Sequence, residues 1–81
     1  MNEVLLIVTR NYTTETEVYF YGNEALAMMQ LKTFYLDEIK RIDAYDFNNS
    51  YIDEKHGYAQ VTNGLKVIEF RICEMPVVQH N

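Results

Sequence analysis

The apolar positions begin with an unbroken run, Val4-Leu5-Leu6-Ile7-Val8, rich in β-branched residues and too short for a surface helix. Glu3 to Arg10 therefore reads as a central strand. Its two faces are both apolar, so both should be covered. The chain offers one long helix, which covers one face and leaves the other to a partner. The polar, Thr-rich stretch from Asn11 to Thr16 reads as a loop, and Glu17-Val18-Tyr19-Phe20-Tyr21 as a second strand closing an antiparallel hairpin with the first. Tyr19 and Tyr21 share one parity and Val18 and Phe20 the other, so one pair faces the helix and the other faces away.

Gly22-Asn23 punctuates the chain, with Asn23 placed as an N-cap and Glu24 in the first turn, where a carboxylate favours the helix dipole. The helix that follows is expected to end near Ala44 or Tyr45. At about 100° per residue, Ala25, Met28, Met29, Leu31, Tyr35, Leu36, Ile39 and Ile42 fall within one arc, the expected core face. Gln30, Asp37, Lys40 and Arg41 lie on the other side. Phe34 falls near the middle of this polar face and Leu26 toward its edge, so both are expected to be exposed on the docked helix. An isolated exposed apolar residue is ordinary on a soluble protein, whereas an exposed aromatic can also anchor an interface.

Periodicity is lost from Asp43 to Glu54, and Asp46-Phe47-Asn48-Asn49-Ser50 has loop composition. Gly57 to Thr62, Asn63-Gly64 and Leu65 to Cys73 form the clearest pattern in the chain, a hairpin with a two-residue type I′ turn. That turn sets Thr62 opposite Leu65, Gln60 opposite Val67 and Tyr58 opposite Glu69. Ala59, Val61, Ile68, Phe70 and Ile72 then share one apolar face. Met75-Pro76 should stop the strand. The expected fold is α+β, a four-stranded antiparallel sheet in β-β-α-β-β order packed on one long helix. Residues 1–76 would be a single domain and 77–81 a C-terminal tail.

Composition narrows the function. The chain has 81 residues, 48% hydrophobic, with one Pro and three Gly, the balance of an ordinary globular domain. A domain this short buries only about 60% of the surface its unfolded chain exposes, which favours self-association. Twelve acids against seven bases give a net charge of -5. With no basic run to neutralise phosphates, composition argues against a counterion-driven DNA-binding module. The single cysteine, Cys73, cannot form an internal disulfide, which points to a reducing cytoplasm. No apolar run approaches the roughly 20 residues a membrane helix needs, and no basic region of a signal peptide opens the chain.

Catalytic and metal chemistry find little support. His56 and His80 have no second ligand at metal spacing, Cys73 sits at a strand end, and Gly22, Gly57 and Gly64 are isolated at turns. No cofactor, metal or catalytic set is expected. Carboxylates are more suggestive. Residues 37–54 hold Asp37, Glu38, Asp43, Asp46, Asp53 and Glu54 against Lys40 and Arg41, a local net charge of -4. The alternating acids and Gly of a calcium loop are missing. The ordinary meaning of such a stretch is a solvated helix end and loop. The sharper one is an acidic surface that steers the protein onto a basic partner. Seven tyrosines suit half-buried sheet faces and recognition surfaces alike, and Tyr35 reads as core.

The opening strand Glu3-Val4-Leu5-Leu6-Ile7-Val8, the central helix, and the closing hairpin Gly57-Tyr58-Ala59-Gln60-Val61 to Val67-Ile68-Glu69-Phe70-Arg71-Ile72 give a small acidic chain. It resembles the accessory proteins of bacteriophages and mobile elements of Gram-positive bacteria, including anti-CRISPR and other anti-defence proteins. The likeness is one of size, charge and style, and transfers no residue role. It implies a non-enzymatic inhibitor that occupies the basic surface of a CRISPR or other defence nuclease. The acidic set would supply attraction, with Phe34 and Tyr51 as anchors and no direct nucleic acid or membrane partner. The alternatives are a nucleotide or small-ligand sponge at a homodimer interface, with tyrosines stacking a base and Arg10, Lys66 or Arg71 meeting phosphate, and a purely structural homo-oligomer.

Overall fold

The computed structural model describes residues 2–76; the expected tail and His80 lie outside that range. The elements are β1 (Asn2–Arg10), β2 (Thr16–Tyr21), α1 (Glu24–Arg41), β3 (Tyr51–Asp53), β4 (Tyr58–Thr62) and β5 (Val67–Pro76). All pairings are antiparallel, in one five-stranded sheet of order β2-β1-β5-β4-β3.

The expectation of a four-stranded sheet on one long helix is therefore wrong on both counts. The fifth strand is β3, formed where only a loop was expected. Three residues are too few to show a period, and β3 exists because β4 offers an edge on which Tyr51, Ile52 and Asp53 pair with Gln60, Ala59 and Tyr58. The helix is short, 18 residues ending at Arg41. Asn23 caps its start, the side chain accepting from the Leu26 N–H at 2.9 Å. Ile42 leaves the helix in an extended conformation, and its side chain packs against the core. Ala44, with φ of 56°, then reverses the chain, bringing the Asp46 N–H onto the Thr62 carbonyl at 2.9 Å.

The core lies between α1 and one sheet face, where Leu6, Val8, Leu31, Ala59, Val61, Ile68 and Phe70 are all buried. The closing hairpin is present and its apolar face is the one expected, but its register is two residues off. Thr62 pairs with Val67, Gln60 with Glu69 and Tyr58 with Arg71, leaving four residues, Asn63 to Lys66, in the turn. The Asn63 side-chain oxygen accepts from the Leu65 and Lys66 N–H groups, a local turn that competes with the tighter type I′ geometry. A shift of two preserves side-chain parity, so the core face survived the error. Asn11 fixes this turn from the end of β1. Its amide donates to the Leu65 carbonyl at 3.0 Å and accepts from the Val67 N–H at 2.8 Å.

The helix docks at a different rotation from the one its apolar pattern suggests. Ala27, Leu31 and Tyr35 are buried, whereas Met29 and Leu36 are 66% and 55% exposed. Phe34 turns inward, its ring 5.1 Å from Tyr19 and 6.4 Å from Phe70 between centroids. Tyr19 and Tyr21 pack toward the helix, which leaves Val18 and Phe20 on the uncovered face beside Ile7, Leu5 and Cys73. Pro76 does not cut β5 short, because it stands opposite Asn2 as the last pair of the ladder.

Candidate interaction surfaces

One polar network is built into the fold. Arg10, at the end of β1, pairs with Glu17 of β2 through Nη1 and with Glu38 of α1 through Nη2, the latter at 3.3 Å. The Arg10 and Glu38 side chains are only 19% and 12% exposed. Burial alone would lower the Arg10 pKa, but the hydrogen bonds and charges of Glu17 and Glu38 outweigh it and raise it. Glu17 is held below the usual carboxylate range, first by the hydrogen bond from the Tyr19 hydroxyl and then by Arg10. Composition gave no sign of this network, since its members are 7 and 28 residues apart. One signal was available: Glu38 lies on the same helical arc as Ala27 and Leu31, and a carboxylate on a buried arc calls for a cation.

This network decides what the acidic stretch can do. Glu38 is a structural partner of Arg10, with Arg41 a further 3.8 Å contact. Asp46 organises its own loop, accepting from the Asn48 and Asn49 N–H groups and from the Asn49 side chain at 2.8 Å. Those bonds, with that of the Asn49 side chain foremost, hold its carboxyl low. Asp53 accepts from the His56 N–H and lies 2.7 Å from His56 Nδ1, a contact that likewise lowers its pKa. Glu54 pairs with Lys32. Asp37 and Asp43 have no ion pair among the described residues.

The six carboxylates do not form one patch. Asp37 and Glu38 line a cleft of about 200 Å³ beside β2, with Arg10, Glu17 and Arg41. Glu54 lies on the opposite flank of the helix with Lys32, and Asp43 and Asp46 lie beyond the helix C-terminus. Of the two expected anchors, Phe34 is partly buried on the inner face, where it also lines the cleft beside β2. Its neighbours Tyr19 and Phe70 come from strands far from it in sequence, so no helix-only periodicity could place it. Tyr51 is 47% exposed on β3, its ring 5.9 Å from that of Tyr58.

The phosphate-binding alternative fares unevenly. Arg10 and Lys66 line one cleft of about 530 Å³ with Tyr12, Arg41 and Asp43, and Lys66 Nζ lies 4.9 Å from the Tyr12 ring centroid. Arg71 is on the uncovered sheet face, stacked over Tyr58 at 5.6 Å, so it does not join them. A separate cleft of about 390 Å³ lies between the start of α1 and the β3–β4 turn, lined by Glu24, Met28, His56 and Ile72. The neighbouring Glu74 raises the Glu24 pKa there.

The uncovered sheet face is the largest feature that composition did not resolve. Phe20 and Val18 are 66% and 43% exposed, and Met75 is exposed at the same end. Leu5 is buried between its cross-strand neighbours Phe20 and Cys73. No group of three or more His, Cys, Asp or Glu among the described residues could hold a metal ion. Among the described residues no helix is long and apolar enough to cross a membrane. Comparison with known proteins gives no match: no family model fits the chain, and neither a curated protein nor a solved structure is similar to it.

Proposed function

We propose that this chain is a non-enzymatic binding protein of the bacterial cytoplasm, carried by a phage or mobile element, that inhibits a defence nuclease by occupying a basic surface. The observation that supports this most is the distribution of its charges. Arg10, Lys32, Arg41 and Arg71 are each engaged by a glutamate, while Asp37 and Asp43 stand outside every ion pair among the described residues. A chain of net charge -5, with four of its seven bases paired internally, presents a negative field, which speeds association with a basic surface and selects for it. The assignment to a defence nuclease rests on the resemblance in size, charge and element style. The residues offered to the partner are Asp37, Asp43 and Tyr51, with Asp53 and Glu54 secondary because each is already paired.

The test is DNA cleavage by a panel of purified RNA-guided nucleases titrated with the protein. The expected result is stoichiometric inhibition of one of them, weakened by salt and by the double substitution Asp37→Asn and Asp43→Asn. Failure to inhibit any of them, or inhibition indifferent to both salt and that substitution, removes the proposal.

The cleft that joins Lys66, Tyr12 and Arg41 favours a second reading, a nucleotide sponge. It predicts a saturable thermal shift with a nucleotide panel that Lys66→Ala abolishes. No shift with any nucleotide sinks it.

A further inference from the structure

The two edges of the sheet are built differently. On one side, β3 is three residues long, and its Asp53 lies 2.7 Å from His56 Nδ1. On the other, β2 runs six residues in continuous register with β1, without a bulge. It contains no Lys and no Pro, and its one charge, Glu17, is turned to the helix side and held by Arg10 and the Tyr19 hydroxyl. Short length, Lys, Pro, bulges and inward-pointing charges are means by which sheet edges are kept from pairing. β3 uses the first, and β2 has only an inward charge, Glu17, which Arg10 pairs. No backbone hydrogen bond among the described residues reaches β2 from its outer side. The helix packs on the inner face of β2, as it does on β1, β4 and β5.

We propose that β2 pairs antiparallel with β2 of a second copy, about a twofold axis at Tyr19, joining two sheets into one of ten strands. The occupant follows from the pattern of the strand. Antiparallel self-pairing must set residues of one parity opposite each other. Centred on Tyr19, it places Val18 against Phe20 of the second copy and Glu17 against its uncharged Tyr21, so no like charges meet. Val18 and Phe20 are the exposed apolar residues of this edge, and each covers the other across the axis. Aromatic and β-branched residues facing one another are favourable cross-strand pairs. A foreign strand would have to supply this alternation, whereas a second copy always carries it. The inference does not depend on the proposed function.

The test is the mass of the full chain by sedimentation equilibrium. The expected value is twice the 9.6 kDa of one chain. Joint substitution Val18→Lys and Phe20→Lys should return it to one chain while far-ultraviolet circular dichroism is unchanged. Met29→Lys with Leu36→Lys, on the outer face of the helix, should leave the doubled mass intact. Amide exchange gives a second readout that needs no variant, because outer amides of β2 should become protected as concentration rises. A mass of one chain at every concentration overturns the proposal. So does a dimer that the helix variant dissociates and the β2 variant does not, or outer β2 amides that stay unprotected at concentrations where the mass is doubled.

Discussion

The ring of Phe34 packs on that of Tyr19 at 5.1 Å and an interplanar angle of 52°, and this contact sets how α1 is rotated on the sheet. Tilted aromatic pairs at this separation contribute beyond their buried area. The pair also extends the core to β2. Phe34→Ala should therefore destabilise the protein by about 2 to 3 kcal/mol in urea unfolding. Leu36→Ser, on the exposed side, should stay within about 0.5 kcal/mol. Equal effects would place the helix in the rotation suggested by its apolar count.

Removal of Arg10 strands a carboxylate. Arg10→Ala leaves Glu38 mostly buried with only the distant Arg41, and should cost about 2 kcal/mol or more in the same unfolding assay. Asp37→Asn, one residue away, should leave stability unchanged. That contrast separates the structural acid of the stretch from the one proposed to meet a partner.

The same network sets the acid limit of stability. The Glu17 carboxyl in the folded chain lies below its ordinary value of 4.5, because of the Tyr19 hydroxyl and then Arg10. Its contribution is complete above that ordinary value and is lost as pH falls through the lowered folded value. Asp46 and Asp53 act in the same sense. Glu17→Gln should flatten the fall in thermal midpoint on acidification below about pH 4.5; an unchanged slope would show that Glu17 is not linked to folding.

At the alkaline end the sign reverses. Burial, and then the hydrogen bond with Tyr45, push the Tyr35 hydroxyl up to about 12. A folded pKa above the unfolded value gives stability that is present below the ordinary tyrosine pKa and lost as pH rises through the folded one. Between about pH 10 and 12 the wild-type chain should lose stability more steeply than Tyr35→Phe, read as the fraction folded by circular dichroism.

Two glycines with positive φ should differ on substitution. A Cβ at Gly57, φ +62°, would meet the Ile72 Cβ at 3.1 Å, whereas at Gly64, φ +92°, it would enter open space. Gly64→Ala then carries backbone strain alone, about 1 kcal/mol, and Gly57→Ala adds displacement of a core-lining side chain. Gly57→Ala should show the lower thermal midpoint of the two.

The legible parts of the fold were those written in local pattern. The run Val4 to Val8 and the parity of the closing hairpin each specify a strand and its inward face, and Asn23 marks the helix start. Features made by distant residues could not be read in this way. The rotation of α1 depends on Tyr19 and Phe70 receiving Phe34, and apolar count alone favours Met29 and Leu36 because it is blind to where the sheet ends. The hairpin register depends on Asn63 and Asn11, whose side chains bond backbone across the turn. Among the acidic residues, spacing showed a cluster in sequence. The structure spreads it over separate surfaces and assigns Glu38 to Arg10.

The sheet order places β1 beside β5, with Leu6 opposite Ile72 and Val8 opposite Phe70. The pair at the centre of the sheet is thus the pair farthest apart along the chain. The β1–β2 hairpin and the β3–β4–β5 meander can each assemble from neighbours, but neither has a closed core until they meet. Bringing them together closes a loop that spans most of the molecule, so the central seam should be the slow and cooperative step of folding. Before that step, the most apolar strand, β1, has only β2 beside it. During that interval the nascent chain is most open to capture by a chaperone or by another copy of itself.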